Sequence, residues 1–160
     1  MYTIEEYDRE KSKVLKYVLY KKRSKQEVKN KFYNIIEDEM LNEIIEELEE
    51  NSYIDDSNYI ERAVNEFVAL NNLSLKEVKY KLMAKGISSD LIEEYISKNH
   101  EEMENYEIKS ARNLIVKKQN QMDEDSIIQL LLKKGYRTSN IRQAIEQDNL
   151  MDYVVKKLRE

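Results

Sequence analysis

A chain of 160 residues with no proline and only two glycines, Gly86 and Gly135, lacks the turn residues that a β-rich fold needs at every hairpin, and its many Glu, Lys and Leu residues suit helix interiors. The absence of cysteine excludes disulfides, thiol nucleophiles and Cys-based metal sites. The formal charge of -5 is unevenly laid out: residues 1–108 hold 16 bases and 25 acids, net -9, whereas residues 109–160 hold 11 bases and 7 acids, net +4, so an anionic partner would be drawn to the C-terminal third.

Met1–Glu10 carries acids where a secretory signal would carry bases, and no apolar run approaches the roughly 20 residues of a membrane span, which predicts a cytoplasmic protein. Asn72-Leu73-Ser74 has the form of a glycosylation sequon but reads better as a helix start. Val14, Leu15, Val18 and Leu19 form the first helical stripe, followed by Val28 and Phe32, then by Met40, Leu41, Ile44, Ile45 and Leu48. A second set runs through Tyr59, Ile60, Ala63, Val64, Phe67 and Val68, then Val78 and Leu82, then Leu91, Ile92, Tyr95 and Ile96. The third set is Ile108, Ala111, Leu114 and Ile115, then Ile127, Leu130 and Leu131, then Ile141 and Ile145. Leu150, Val154, Val155 and Leu158 predict a closing helix.

Ser24, Ser74 and Asp123 each precede a stripe as N-caps, and Glu27 and Glu77 complete capping boxes with the two serines. Gly86 and Gly135 each stand where a helix ends in the left-handed conformation, for which glycine pays no Cβ penalty. An offset of 49 that places Gly86 on Gly135 also places Ser74 on Asp123, Val78 on Ile127, Leu82 on Leu131, Ile92 on Ile141 and Ile96 on Ile145. An offset near 50 places Ser24, Glu27, Val28 and Phe32 on Ser74, Glu77, Val78 and Leu82, although the turn Tyr33-Asn34-Ile35-Ile36 has no glycine and predicts a different C-cap. The fold expected is all-α: three tandem three-helix repeats, residues 1–52, 53–99 and 100–160 with the closing helix, stacked into an elongated, curved array.

Reagents for catalysis are scarce. The single histidine, His100, lies in the polar stretch 98–102 and reads as an exposed linker residue, and no glycine-rich phosphate loop is present. Asp55-Asp56 could attract a divalent cation, but the simpler reading has Tyr53 and Ile54 packing in a turn while both acids cap the helix that follows. The acid runs Glu37-Asp38-Glu39, Glu46-Glu47, Glu49-Glu50 and Glu101-Glu102 read as solvated faces, and tyrosines such as Tyr59 and Tyr95 as core. Two basic clusters are the candidate partner-binding residues: Lys109, Arg112, Lys117, Lys118, Lys133, Lys134, Arg137 and Arg142 in the third repeat, and secondarily Lys21, Lys22, Arg23, Lys25 and Lys29 in the first. No metal, cofactor or catalytic residue is expected.

Arg23-Ser24-x-x-Glu27-Val28 with Lys31-Phe32, Tyr53-Ile54-Asp55-Asp56-x-x-Tyr59, Glu77-Val78-x-x-x-Leu82-x-x-Lys85-Gly86-Ile87, and Leu130-Leu131-x-Lys133-Lys134-Gly135-Tyr136 resemble the recurring signatures of the RecX family. The resemblance runs from about Val14 to the C-terminus; at Asn71-Asn72 the family tends to carry basic and glycine residues instead. It implies a non-enzymatic bacterial regulator of recombination, DNA repair and the SOS response. Such a protein binds the RecA recombinase filament on single-stranded DNA, lies along its groove as a monomer, and inhibits ATP hydrolysis and strand exchange, with only weak direct DNA contact and none with membranes. Composition and periodicity also admit a generic helical-repeat adaptor, or a helix-turn-helix-like nucleic-acid binder, against which the negative charge of residues 1–108 speaks.

Overall fold

The computed structural model describes residues 1–159, with side chains for residues 1–147 and for Leu158. Among the described residues the fold is all-α, with no strand. The helices are α1 (Ile4–Tyr20), α2 (Lys25–Phe32), α3 (Asp38–Glu50), α4 (Asp56–Ala69), α5 (Leu75–Ala84), α6 (Ser89–Lys98), α7 (His100–Lys118), α8 (Glu124–Lys134) and α9 (Thr138–Arg159). Apolar residues paired by the repeat offset share one fate: Val28, Val78 and Ile127 are buried, as are Phe32, Leu82 and Leu131, and Ile92 with Ile141.

Capping explains the helix starts. Ser24 Oγ accepts the Glu27 N–H while the Glu27 carboxylate accepts the Ser24 N–H, and Ser74 and Glu77 repeat both bonds. Asp123 accepts the Ser126 N–H. A further capping box, Thr3 with Glu6, opens α1. At the other ends, the Ile87 N–H donates to the Leu82 carbonyl and the Tyr136 N–H to the Leu131 carbonyl, each around a glycine of positive φ. The glycine-free turn after α2 closes otherwise, with Asn34 at φ 64° and both Ile35 and Ile36 N–H groups on the Phe32 carbonyl. Asn71, at the departure from the family pattern, is likewise left-handed at φ 52°.

The chain divides into two compact units, residues 1–63 with 82–92, and residues 64–81 with 93–160, so the division passes through the second repeat. In the first unit Val14, Val28, Met40, Ile44, Leu48 and Ile54 anchor one core. In the second, Ala111, Ile115, Ile127, Leu131, Tyr136 and Ile141 anchor another.

Three expectations need correction. His100–Glu102 is not a linker but the first turn of α7, separated from α6 by Asn99 alone, because the Asn99 carbonyl already accepts the Met103 N–H; His100 is nonetheless exposed. The stripe from Leu150 to Leu158 begins no new helix, since α9 runs unbroken from Thr138 to Arg159; of its four side chains only Leu158, exposed, lies among those described. In the turn after α3 Ile54 is buried but Tyr53 is not.

Candidate partner-binding surfaces

Both units are closed by the same latch. In the first, the Ser24 hydroxyl, while accepting at the start of α2, donates to the Lys85 carbonyl at 2.6 Å near the end of α5. In the second, Ser74 at the start of α5 donates to the Lys134 carbonyl at 2.7 Å near the end of α8. One buried hydroxyl thus satisfies an orphan N–H of one helix and an orphan C=O of another. This approach gives the glycines a second task. A Cβ on Gly86 would lie 2.1 Å from Gln26 Cβ, and one on Gly135 would lie 2.7 Å from Lys76 Cδ.

A carboxylate lies beside each latch. Asp56 accepts the Lys25 N–H at 2.9 Å, at the first residue of α2. Asp55 alone caps its own helix, taking the Ser57 and Asn58 N–H groups, so the expectation that both acids do so holds for one of them. In the second unit Glu107, fully buried, accepts the Arg137 N–H at 2.7 Å. Burial raises the carboxyl pKa of Glu107, against the opposing pull of the Arg137 and Leu75 N–H groups; Asp56 is raised by burial too, against the Lys25 N–H. Beside Glu107 a buried network runs through Leu73, whose carbonyl accepts from Tyr106 and Ser110 while its N–H reaches the Tyr106 hydroxyl, and Ser110 also bonds the Tyr136 hydroxyl. Periodicity missed Met103, Tyr106, Glu107 and Ser110, all buried on α7; only the i, i+3, i+7 spacing of Met103, Tyr106 and Ser110 could have signalled them.

The structure sorts the candidate cations by what they touch. In the first repeat Arg23 lies over the Tyr17 ring at 4.1 Å, Lys25 pairs with Glu49 at 3.1 Å, and Lys22 donates to Asn58 at 3.0 Å, so these three serve the fold; Lys21 is exposed and Lys29 half-buried. In the third repeat Arg137 is spent on Glu104. Lys117 and Lys118 occupy the last turn of α7, and Lys133 and Lys134 that of α8, where cations complement the helix dipole; Lys117 and Lys133 are exposed, Lys118 and Lys134 half-buried. Lys109 and Arg112 line a groove of about 380 Å³ between α7 and α9, together with Asn105, Ile108, Gln143 and Gln147. Arg142 is exposed on α9. The eight candidate cations therefore fall into four settings: the ion pair with Glu104, the two helix ends, the α7–α9 groove and the exposed face of α9.

Among the described residues no group of three His, Asp or Glu side chains could hold a metal ion. Nor, among the described residues, is any helix long and apolar enough to cross a membrane. No family model matches the chain. Curated relatives do match. Regulatory protein RecX of Streptococcus uberis is 30% identical over 134 residues, 76% of this chain and 50% of the relative. That of Staphylococcus carnosus is 30% identical over 136 residues, 82% and 51%. The chain belongs to the RecX family.

Regulatory protein RecX of Lactococcus lactis subsp. cremoris (strain MG1363), 24% identical, matches over 92% of this chain and 61% of its own. The chain thus spans about half to three-fifths of the length of these RecX relatives. Solved RecX structures share the fold: RecX from Lactobacillus salivarius has a TM-score of 0.79 at 22% identity over 92% of this chain and 99% of that one. A second, described as regulatory protein RecX, has a TM-score of 0.74 at 21% identity over 88% and 73%.

Proposed function

We propose that this RecX-family chain binds the RecA recombinase filament in the cytoplasm and inhibits its ATPase and strand-exchange activities, so modulating recombination and repair. The observation that carries the reading is the set of RecX relatives, named as regulatory proteins, that match most of the chain. Repeats in series offer successive contacts to successive subunits of a polymer, so binding one subunit arrangement better than another shifts the filament toward it. The third repeat supplies the positive field, and Lys117, Lys118, Lys133 and Lys134 present it at helix ends. Direct DNA contact is secondary because residues 1–108 are net negative.

The test is RecA ATPase activity on single-stranded DNA as the protein is titrated in, with binding to naked DNA followed in parallel. Substoichiometric inhibition without tight DNA binding is the expected result; no inhibition at excess protein overturns the reading. Reversing the charge of Lys117, Lys118, Lys133 and Lys134 together should weaken inhibition while leaving the helical circular-dichroism signal unchanged.

A further inference from the structure

The α7–α9 groove is the most chemically specific surface in the second unit. Asn105, Ile108, Lys109 and Arg112 recur on α7 at i, i+3, i+4 and i+7, and face Gln143 and Gln147 at i and i+4 on α9. Ile108 is buried and forms an apolar floor, Arg112 is half-buried, and the others are exposed. Among the described residues neither Lys109 nor Arg112 has a carboxylate partner, in contrast to Arg137 on Glu104 and Lys79 on Glu93. Two cations therefore face a groove whose remaining polar lining, among the described residues, is three side-chain amides.

We infer that this groove takes an extended peptide segment of the protein partner, with an Asp or Glu side chain seated on Lys109 and Arg112. The inference rests on the reading of the chain as a protein-binding regulator. Two features favour peptide over a nucleic-acid strand. Side-chain amides donate and accept alike, and a peptide backbone answers both with its C=O and N–H groups, whereas a phosphodiester has only acceptors and leaves the amide oxygens facing its charge. Glu101, moreover, lies one turn before Asn105 on the same face of α7, with Glu102 beside it. A polyanion continuing along the helix would meet both acids, but a peptide with a single carboxylate at Arg112 would not. The planar guanidinium of Arg112 matches that carboxylate with two parallel N–H bonds, and Lys109 adds a point charge.

The probe is a synthetic octapeptide of Gly, Ala and Ser bearing two adjacent aspartates, compared with its asparagine counterpart and with an oligothymidylate of eight nucleotides. Binding is followed by NMR on the side-chain amide signals of Asn105, Gln143 and Gln147 in the full chain. The aspartate peptide should shift all three, the asparagine peptide should need at least about tenfold more to reach the same shift, and the double variant Lys109→Ala, Arg112→Ala should abolish the difference. Equal response to both peptides, no response at millimolar aspartate peptide, or a stronger response to oligothymidylate overturns the inference. A chain that inhibits RecA but shows one of those results sinks the groove alone. A chain that responds as expected yet leaves RecA untouched sinks the proposed function alone.

Discussion

The Ser24 hydroxyl donates to the Lys85 carbonyl at 2.6 Å across 61 positions of sequence, and it does so while serving as the N-cap of α2. Replacing it with alanine removes a cap acceptor and leaves a helix-end carbonyl without its donor. Ser24→Ala should therefore destabilise by about 1–3 kcal/mol, above the ~1 kcal/mol of an ordinary N-cap loss. Ser74→Ala should behave alike, since Ser74 makes the same bonds to Glu77 and Lys134. Urea denaturation of both variants checks this; a cost equal to that of Thr3→Ala, which removes an exposed capping box of α1, would deny the latch any energetic role.

The glycines should separate by what lies beneath them. Both have positive φ, 89° at Gly86 and 97° at Gly135, so any Cβ costs about 1–2 kcal/mol at either position. At Gly86 the new methyl would also meet Gln26 Cβ, an atom fixed to the α2 backbone, at 2.1 Å, whereas at Gly135 the corresponding fixed atom, Lys76 Cβ, lies farther off at 2.8 Å and the nearer Cδ at 2.7 Å can swing away. Gly86→Ala is therefore expected to lower the thermal midpoint further than Gly135→Ala. Equal losses would mean that backbone strain alone, without the close approach, sets the cost.

The helices and their caps were legible because each signal is local: a stripe of period 3.6, a serine followed three residues later by glutamate, a glycine after the last turn. The partners of those signals were not. Ser24 and Ser74 were fully accounted for as caps, so nothing in the sequence called for a second bond some 60 residues away. Glycine at a C-cap likewise concealed its close approach to Gln26 or Lys76. The cations could be counted but not sorted, because whether Arg23 stacks on Tyr17, or Arg137 pairs with Glu104, depends on which helices meet. Glu107 escaped notice for a related reason: a carboxylate in a polar stretch reads as solvated, yet here it is buried beneath the first turn of α9.

Glu107 has a pH signature whose sign follows from its setting. Burial is the largest influence on it and raises its pKa above the usual 4.5, against the Arg137 and Leu75 N–H groups. The native state therefore holds this proton more tightly than the unfolded chain does. The stability it contributes is present in full below the ordinary carboxylate pKa and declines as pH rises through the higher native value. Its Oε2 closes no hydrogen bond among the described residues, so an amide can replace the carboxyl with its oxygen still accepting from Arg137. Glu107→Gln is accordingly expected to keep or increase stability at pH 7 and to flatten the decline in unfolding free energy just above pH 4.5. Glu107→Leu, which leaves the Arg137 N–H without an acceptor, should destabilise at every pH by about 1–3 kcal/mol. Chemical denaturation of the three proteins between pH 4 and pH 8 decides it. If Glu107→Gln loses as much as Glu107→Leu at pH 7, the carboxylate is ionised and held by its charge, and the ascribed role of burial is wrong.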